Sequence, residues 1–237
     1  MVRRKLVMKI LIINGQSHKG STYAIAHMLA DKLDGDITEF FLPKDFDEFC
    51  MGCTSCFMKG EENCPHYEKL KPFVVAIEEA DVLILASPVY VMHVTGSMKA
   101  FLDHLGYRWL SHRPRGCMFN KQAVCISTAA GAGTKSTNKD MADSAFYLGC
   151  AKIYSIGFNV QATSWETVKP ERKDKIEKKT DKLAAKIKRR IGSVKPGFKT
   201  KFMFGIMRGL QKKGMMVPVD REYWDENGWL DKVRPWK

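Results

Sequence analysis

Short apolar runs and amphipathic helical segments alternate five times along this chain, and that order restricts the fold more than any other feature. Residues 8–13, Met-Lys-Ile-Leu-Ile-Ile, end at Asn14-Gly15, and apolar positions at helical spacing follow over 22–33. The same pattern predicts strands at 36–41, 81–86, 122–127 and 152–160, and helices at 67–80, 97–105, 136–148 and 170–190. Strands separated by helices pair in parallel, and a parallel sheet is covered on both faces. Val82-Leu83-Ile84-Leu85-Ala86 and Ala123-Val124-Cys125-Ile126 are apolar throughout, as doubly buried strands require. The expectation is a three-layer α/β/α domain whose ligands bind beyond the carboxyl ends of the strands, where the strand order reverses.

The loops at that end carry the polar chemistry. After the first strand, Gln16-Ser17-His18-Lys19-Gly20-Ser21-Thr22 brings hydroxyls and a glycine to a helix start, where free N–H groups and the helix dipole favour a phosphate. The order is neither a Walker loop nor G-x-G-x-x-G, and Ser and Thr are also good N-caps. After the third strand, Ser87-Pro88-Val89-Tyr90-Val91 offers a stiff turn and a planar ring, with Gly96 ahead of the next helix. After the fourth, Thr128-Ala129-Ala130-Gly131-Ala132-Gly133 leaves backbone amides bare.

Together with Gly96-Ser97-Met98-Lys99-Ala100-Phe101-Leu102-Asp103, these loops resemble the phosphate and ring loops of the flavodoxin-like NADPH-dependent FMN reductase family, over about residues 8–165. The resemblance implies a flavodoxin-like fold with a five-stranded parallel sheet, FMN as cofactor and NAD(P)H as co-substrate. It implies that Ser17, Lys19, Gly20, Ser21 and Thr22 hold the phosphate and that Pro88, Val89, Tyr90 and Val91 line the ring. Thr128, Ala129, Ala130, Gly131 and Gly133 complete the pocket. It further implies a homodimer or homotetramer, with a flavin site finished by a neighbouring subunit. His104 departs from the family's pattern, which often has Arg there. No catalytic triad or carboxylate pair is nominated, because flavin carries the chemistry. The expected activity is electron transfer from NAD(P)H through flavin to a small molecule or redox protein. The contrasting class is a flavodoxin-type or iron–sulfur flavoprotein-type electron carrier that does not turn over NAD(P)H.

Four of seven cysteines fall in one stretch, Cys50-x2-Cys53-x2-Cys56-x7-Cys64-Pro65. Disulfide staples are not needed, since 237 residues with 45% apolar content bury a sufficient core. Regular zinc sites use two separate C-x2-C pairs, so zinc here needs Cys64 or His66 in an irregular set. The leading spacing and the Cys-Pro match ferredoxin runs, and the pattern resembles the compact motif of iron–sulfur flavoproteins. Cys50, Cys53, Cys56 and Cys64 are thus candidate ligands of a 4Fe-4S cluster, with metal-free thiols as the alternative.

No stretch approaches the roughly 20 apolar residues of a membrane span. The start Met1-Val2-Arg3-Arg4-Lys5 leads into an apolar run broken by Lys9, unlike a secretory signal. A reducing, cytoplasmic setting is expected. The net charge of +13 belongs almost wholly to the last third of the chain, where nucleic-acid binding is the alternative to a solvated helix and the less favoured one. Within that third, 170–191 interleaves Glu/Asp with Lys around Ile176, Leu183, Ala184 and Ile187, as a solvated amphipathic helix does. The cationic stretch 198–210, rich in Phe and Met, suits either an anionic membrane surface or packing on the core. Tyr223, Trp224, Trp229 and Trp236 favour folding back. The expected division is a flavin domain over 1–192 and a basic helical extension over 193–237, serving as lid, packing or oligomer element.

Overall fold

The computed structural model describes residues 7–237; the basic start read above, 1–5, lies outside the described residues. Five strands form one parallel sheet: β1 (Lys9–Asn14), β2 (Asp36–Phe41), β3 (Val82–Pro88), β4 (Gln122–Ala129) and β5 (Lys152–Asn159). Their order is β2-β1-β3-β4-β5, and Ile12 pairs with Ile84 while Ile84 pairs with Val124. Strand periodicity sends alternate side chains to opposite faces. On one face Ile10, Ile12, Val82, Ile84, Val124 and Ile126 meet α1 (Ser21–Leu33) and α6 (Pro170–Lys188) through Ile25, Leu29, Ile176, Leu183 and Ile187. On the other, Leu11, Ile13, Leu83, Leu85 and Cys125 meet α3 (Tyr67–Glu79), α4 (Gly96–Asp103) and α5 (Thr134–Tyr147) through Phe73, Phe101 and Met141.

A short helix, α2 (Ser55–Met58), lies within the cysteine stretch. After α6 the chain forms α7 (Phe198–Lys212) and α8 (Pro218–Glu226). Phe204, Trp224, Trp229 and Leu230 build a third apolar cluster with Leu110 and Phe119, and Trp236 packs against it. The aromatic run does fold back, onto the segment leading into β4. No helix among the described residues is long and apolar enough to cross a membrane.

Candidate flavin crevice and cysteine pocket

The chain turns from β1 outward to β2 and returns to the other side of β1 with β3, so the strand order reverses between β1 and β3. Their carboxyl ends part there into a crevice. Its floor is tied together by Thr95. The Thr95 hydroxyl donates to the Gly15 carbonyl at 2.5 Å and accepts from the Met98 N–H at 3.1 Å, capping α4, while the Thr95 N–H donates to Ser87 Oγ at 3.1 Å. Gly15 is required by this approach: a Cβ there would stand 2.9 Å from Thr95 Oγ1.

Two cavities open above this floor. One, of about 170 Å³, is lined by Ser21, Thr22, Pro88, Val89, Tyr90, Thr128, Ala129 and Ala130, together with Gln16, His18, Val160, Ala162 and Thr163. The other, of about 500 Å³, is lined by Ser17, Pro43, Phe49, Thr95 and Ser97, and shares Gln16, His18 and Tyr90 with the first. Tyr90 Oη donates to Gln16 Oε1 at 3.2 Å across the seam. The N-cap of α1 is Gly20, with no side-chain cap, so the first-turn N–H groups remain available to an anion. Thr22 and Thr128 share a 2.6 Å hydrogen bond that joins the first and fourth loops.

Several residues read from sequence stand apart from the cavities. The Lys19 ammonium lies over the Tyr23 and Phe41 rings, 5.2 and 5.9 Å from their centroids. Val91 is 95% exposed. Val91 and Met92 adopt φ of 48° and 69° in a two-residue turn closed by Tyr90 and His93, whose N–H groups and carbonyls pair at 2.9 and 3.0 Å. That is the backbone of a tight primed hairpin turn, held by residues that disfavour it. Gly133, at φ 95°, backs this turn: a Cβ would stand 2.6 Å from Val89 Cγ1. Gly131 borders open space.

The four clustered cysteines line one small cavity of about 50 Å³, with Phe57, His66, Asp103 and His104. The stretch leaves the carboxyl end of β2, the sheet edge that carries the crevice loops. The structure puts the pocket at the C-terminal end of α4, roughly 12 Å of helix from the Thr95 end. Phe46 draws the chain there by packing edge-on against Phe73, Phe101 and His104. The two sites still touch through the backbone, because Phe49 lines the flavin-side cavity and Cys50 lines the cysteine pocket.

The thiols are set in two environments. Burial pushes Cys56 up to about 11, with the neighbouring Cys64, Cys50 and Cys53 adding to the shift, and burial likewise raises Cys64. Cys53 is lowered by the Ser55 N–H and hydroxyl directed at its sulfur. Metal binding requires thiolates, so a cation in this pocket would have to offset the desolvation of Cys56 and Cys64, while the N–H directed at Cys53 already supports its ionised form. Cys64, His66 and His104 also present donor atoms within 4.8 Å of one another. His104 is committed elsewhere: its Nδ1 bonds to the Ala100 carbonyl at 2.7 Å and its Nε2 to His66 Nδ1 at 2.8 Å, and burial lowers its pKa.

The loop carrying the cysteines is held by three arginines that sequence reading did not single out. Arg108 donates to Glu78 at 2.6 Å and Glu61 at 3.3 Å, and Arg115 donates to Glu61 at 2.7 Å. Arg113 donates to the carbonyls of Cys56 and Phe57 and is paired with Asp220 of α8, which is 0% exposed and also bonds His112 at 2.7 Å. The signal for these contacts is weak in sequence, because partners such as Arg113 and Asp220 are over a hundred positions apart.

The sequence profile of NADPH-dependent FMN reductase matches residues 8–163. The chain belongs to the NADPH-dependent FMN reductase family. An iron-sulfur flavoprotein of Archaeoglobus fulgidus is 28% identical over 188 residues, 77% of this chain and 80% of that one. An NADPH azoreductase of a Bacillus species is 26% identical over 132 residues, 55% of this chain and 64% of its own length. Among solved structures, an FMN-dependent NADH-azoreductase from Bacillus anthracis in complex with FMN superposes with a TM-score of 0.57 at 12% identity, covering 76% of this chain and 99% of that one. That likeness is one of fold, and it agrees with the flavodoxin-like sheet order seen here. As a member of the FMN reductase family, the chain is an FMN-dependent NAD(P)H oxidoreductase.

Proposed function

We propose an NAD(P)H oxidoreductase whose β1/β3 crevice would hold FMN and whose Cys50, Cys53, Cys56 and Cys64 would hold a 4Fe-4S cluster beside it. The observation that carries this reading is the adjacency of Phe49 and Cys50, one lining each site. When bound, FMN supplies two-electron chemistry and the cluster releases electrons singly. The chain's own part is positional. The uncapped start of α1 with Ser17 and Ser21 holds the phosphate, the Thr22–Thr128 pair fixes the distance between phosphate and ring loops, and Pro88, Val89 and Tyr90 wall the ring. The terminal acceptor is a small molecule or a redox protein. A homodimer or homotetramer in the cytoplasm fits the half-exposed Tyr90 and projecting Val91, which leave one side of the crevice for a neighbouring subunit. Residues 1–192 form the flavin domain, and 193–237 serve as a packing element.

Anaerobic purification tests the reading. The expected protein carries FMN with stoichiometric iron and sulfide, shows flavin bands with a broad shoulder, and oxidises NAD(P)H with FMN or a quinone as acceptor. Zinc in place of iron, or thiols free of any metal, would remove the cluster. Flavin without turnover of either nucleotide would make the chain an electron carrier.

A further inference from the structure

One face of α7 is accounted for by the fold: Thr200, Phe204 and Gln211 are buried against the segment before β4. The opposite face is not. Phe198, Phe202 and Ile206, spaced one helical turn apart, are 83%, 57% and 41% exposed, and the Phe198 and Phe202 rings stack 5.9 Å apart in solvent. Lys201, Lys212 and Lys213 are exposed at positions on the same side of the helix.

The charge around this stripe is of one sign. Between Asp181 and Asp220 the chain has eleven Lys and Arg and no carboxylate side chain. The solvated face of α6 differs, since Glu171, Asp174, Glu177 and Asp181 alternate with its lysines. A helix face meant for water carries both signs and no paired phenylalanines.

We infer that the outer face of α7 docks the enzyme onto an anionic lipid bilayer, with Phe198, Phe202 and Ile206 entering the headgroup boundary and the lysines meeting lipid phosphates. Stable attachment of a peripheral protein takes two signals, one apolar and one cationic, and this face supplies both. A second copy of the chain is a poor occupant, because a two-fold contact through α7 would bring this cationic surface against another of the same sign. The inference is independent of the cofactor assignment, since none of these residues touches either cavity.

The test is flotation of the full-length, FMN-loaded protein with vesicles of phosphatidylcholine, with and without phosphatidylserine. Binding is expected only with phosphatidylserine, weakening as salt rises. Each of Lys201→Gln, Lys212→Gln and Lys213→Gln should weaken it roughly fivefold, and Phe198→Ser with Phe202→Ser should abolish it while leaving FMN content and NAD(P)H oxidation unchanged. Failure to float with phosphatidylserine vesicles, or flotation insensitive to the two Phe substitutions, overturns the inference. So does a solution mass that drops when Phe198 and Phe202 are replaced, which would make the face a self-association surface.

Discussion

Val91 sits at a φ that β-branched residues disfavour, with its side chain almost wholly in water, so nothing in its own packing offsets the strain. Val91→Asn, which tolerates that φ, should stabilise the protein by about 1 kcal/mol in urea unfolding. Gly133→Ala acts oppositely: its φ and the 2.6 Å approach to Val89 push the Ser87–Tyr90 loop out of place, and FMN titration into apo-protein should show at least about tenfold weaker binding. In metal-free protein, the lowered Cys53 has a larger thiolate fraction at neutral pH than Cys56, which, pushed up to about 11, stays protonated. Iodoacetamide mapping by mass spectrometry should label Cys53 before Cys56, with Cys56 gaining rate as pH rises toward 11; equal labelling at pH 7 would contradict the environments described. That Ser21, Thr22, Pro88 and Tyr90 share one crevice was legible because loops after successive parallel strands lie on one sheet edge. The turn at Val91-Met92 was not, since neither residue advertises a primed turn; Gln16 and His18 stand in the first loop without being singled out, and Phe49 and Thr95 join the crevice only through tertiary approach.

At the scale of elements, all five strands and α1, α3, α4, α5 and α6 could be read because each strand is a short apolar or β-branched run bounded by polar turns, whereas the four-residue α2 carries no such pattern. Boundaries moved by a few residues; α4 begins at Gly96 where Thr95 caps it. The cysteine stretch was legible as a donor set but not as a place. Its position depends on Phe46 beneath it and on Arg113 and Asp220 beside it, contacts with no local pattern. Asp220→Asn leaves the buried Arg113 guanidinium without its counter-charge, and the expected loss is about 3 kcal/mol of stability. With the cysteines holding iron as proposed, the same variant should lower iron content per chain while flavin content holds, because Arg113 braces the carbonyls of Cys56 and Phe57 rather than the crevice. Equal loss of both cofactors would mean that α8 supports the whole domain.

For the molecule as a whole, the crevice lies between loops that FMN would bridge, so ligand occupancy adds directly to stability. Adding FMN to apo-protein at about a hundredfold above its Kd should stabilise it by about 2.7 kcal/mol, raising Tm by roughly 5–10 °C for a chain of this length. Calorimetry with and without FMN checks this. The tie between Arg113 and Asp220 also has a consequence in time. Every residue lining the flavin crevice has been translated by Thr163, but the brace on the cysteine loop awaits Asp220. At ribosomal speeds that interval is roughly 3–11 s. A nascent chain thus passes through a stage in which every residue lining the crevice has been made while the cysteine loop still lacks its Asp220 brace and the sheet still lacks α6.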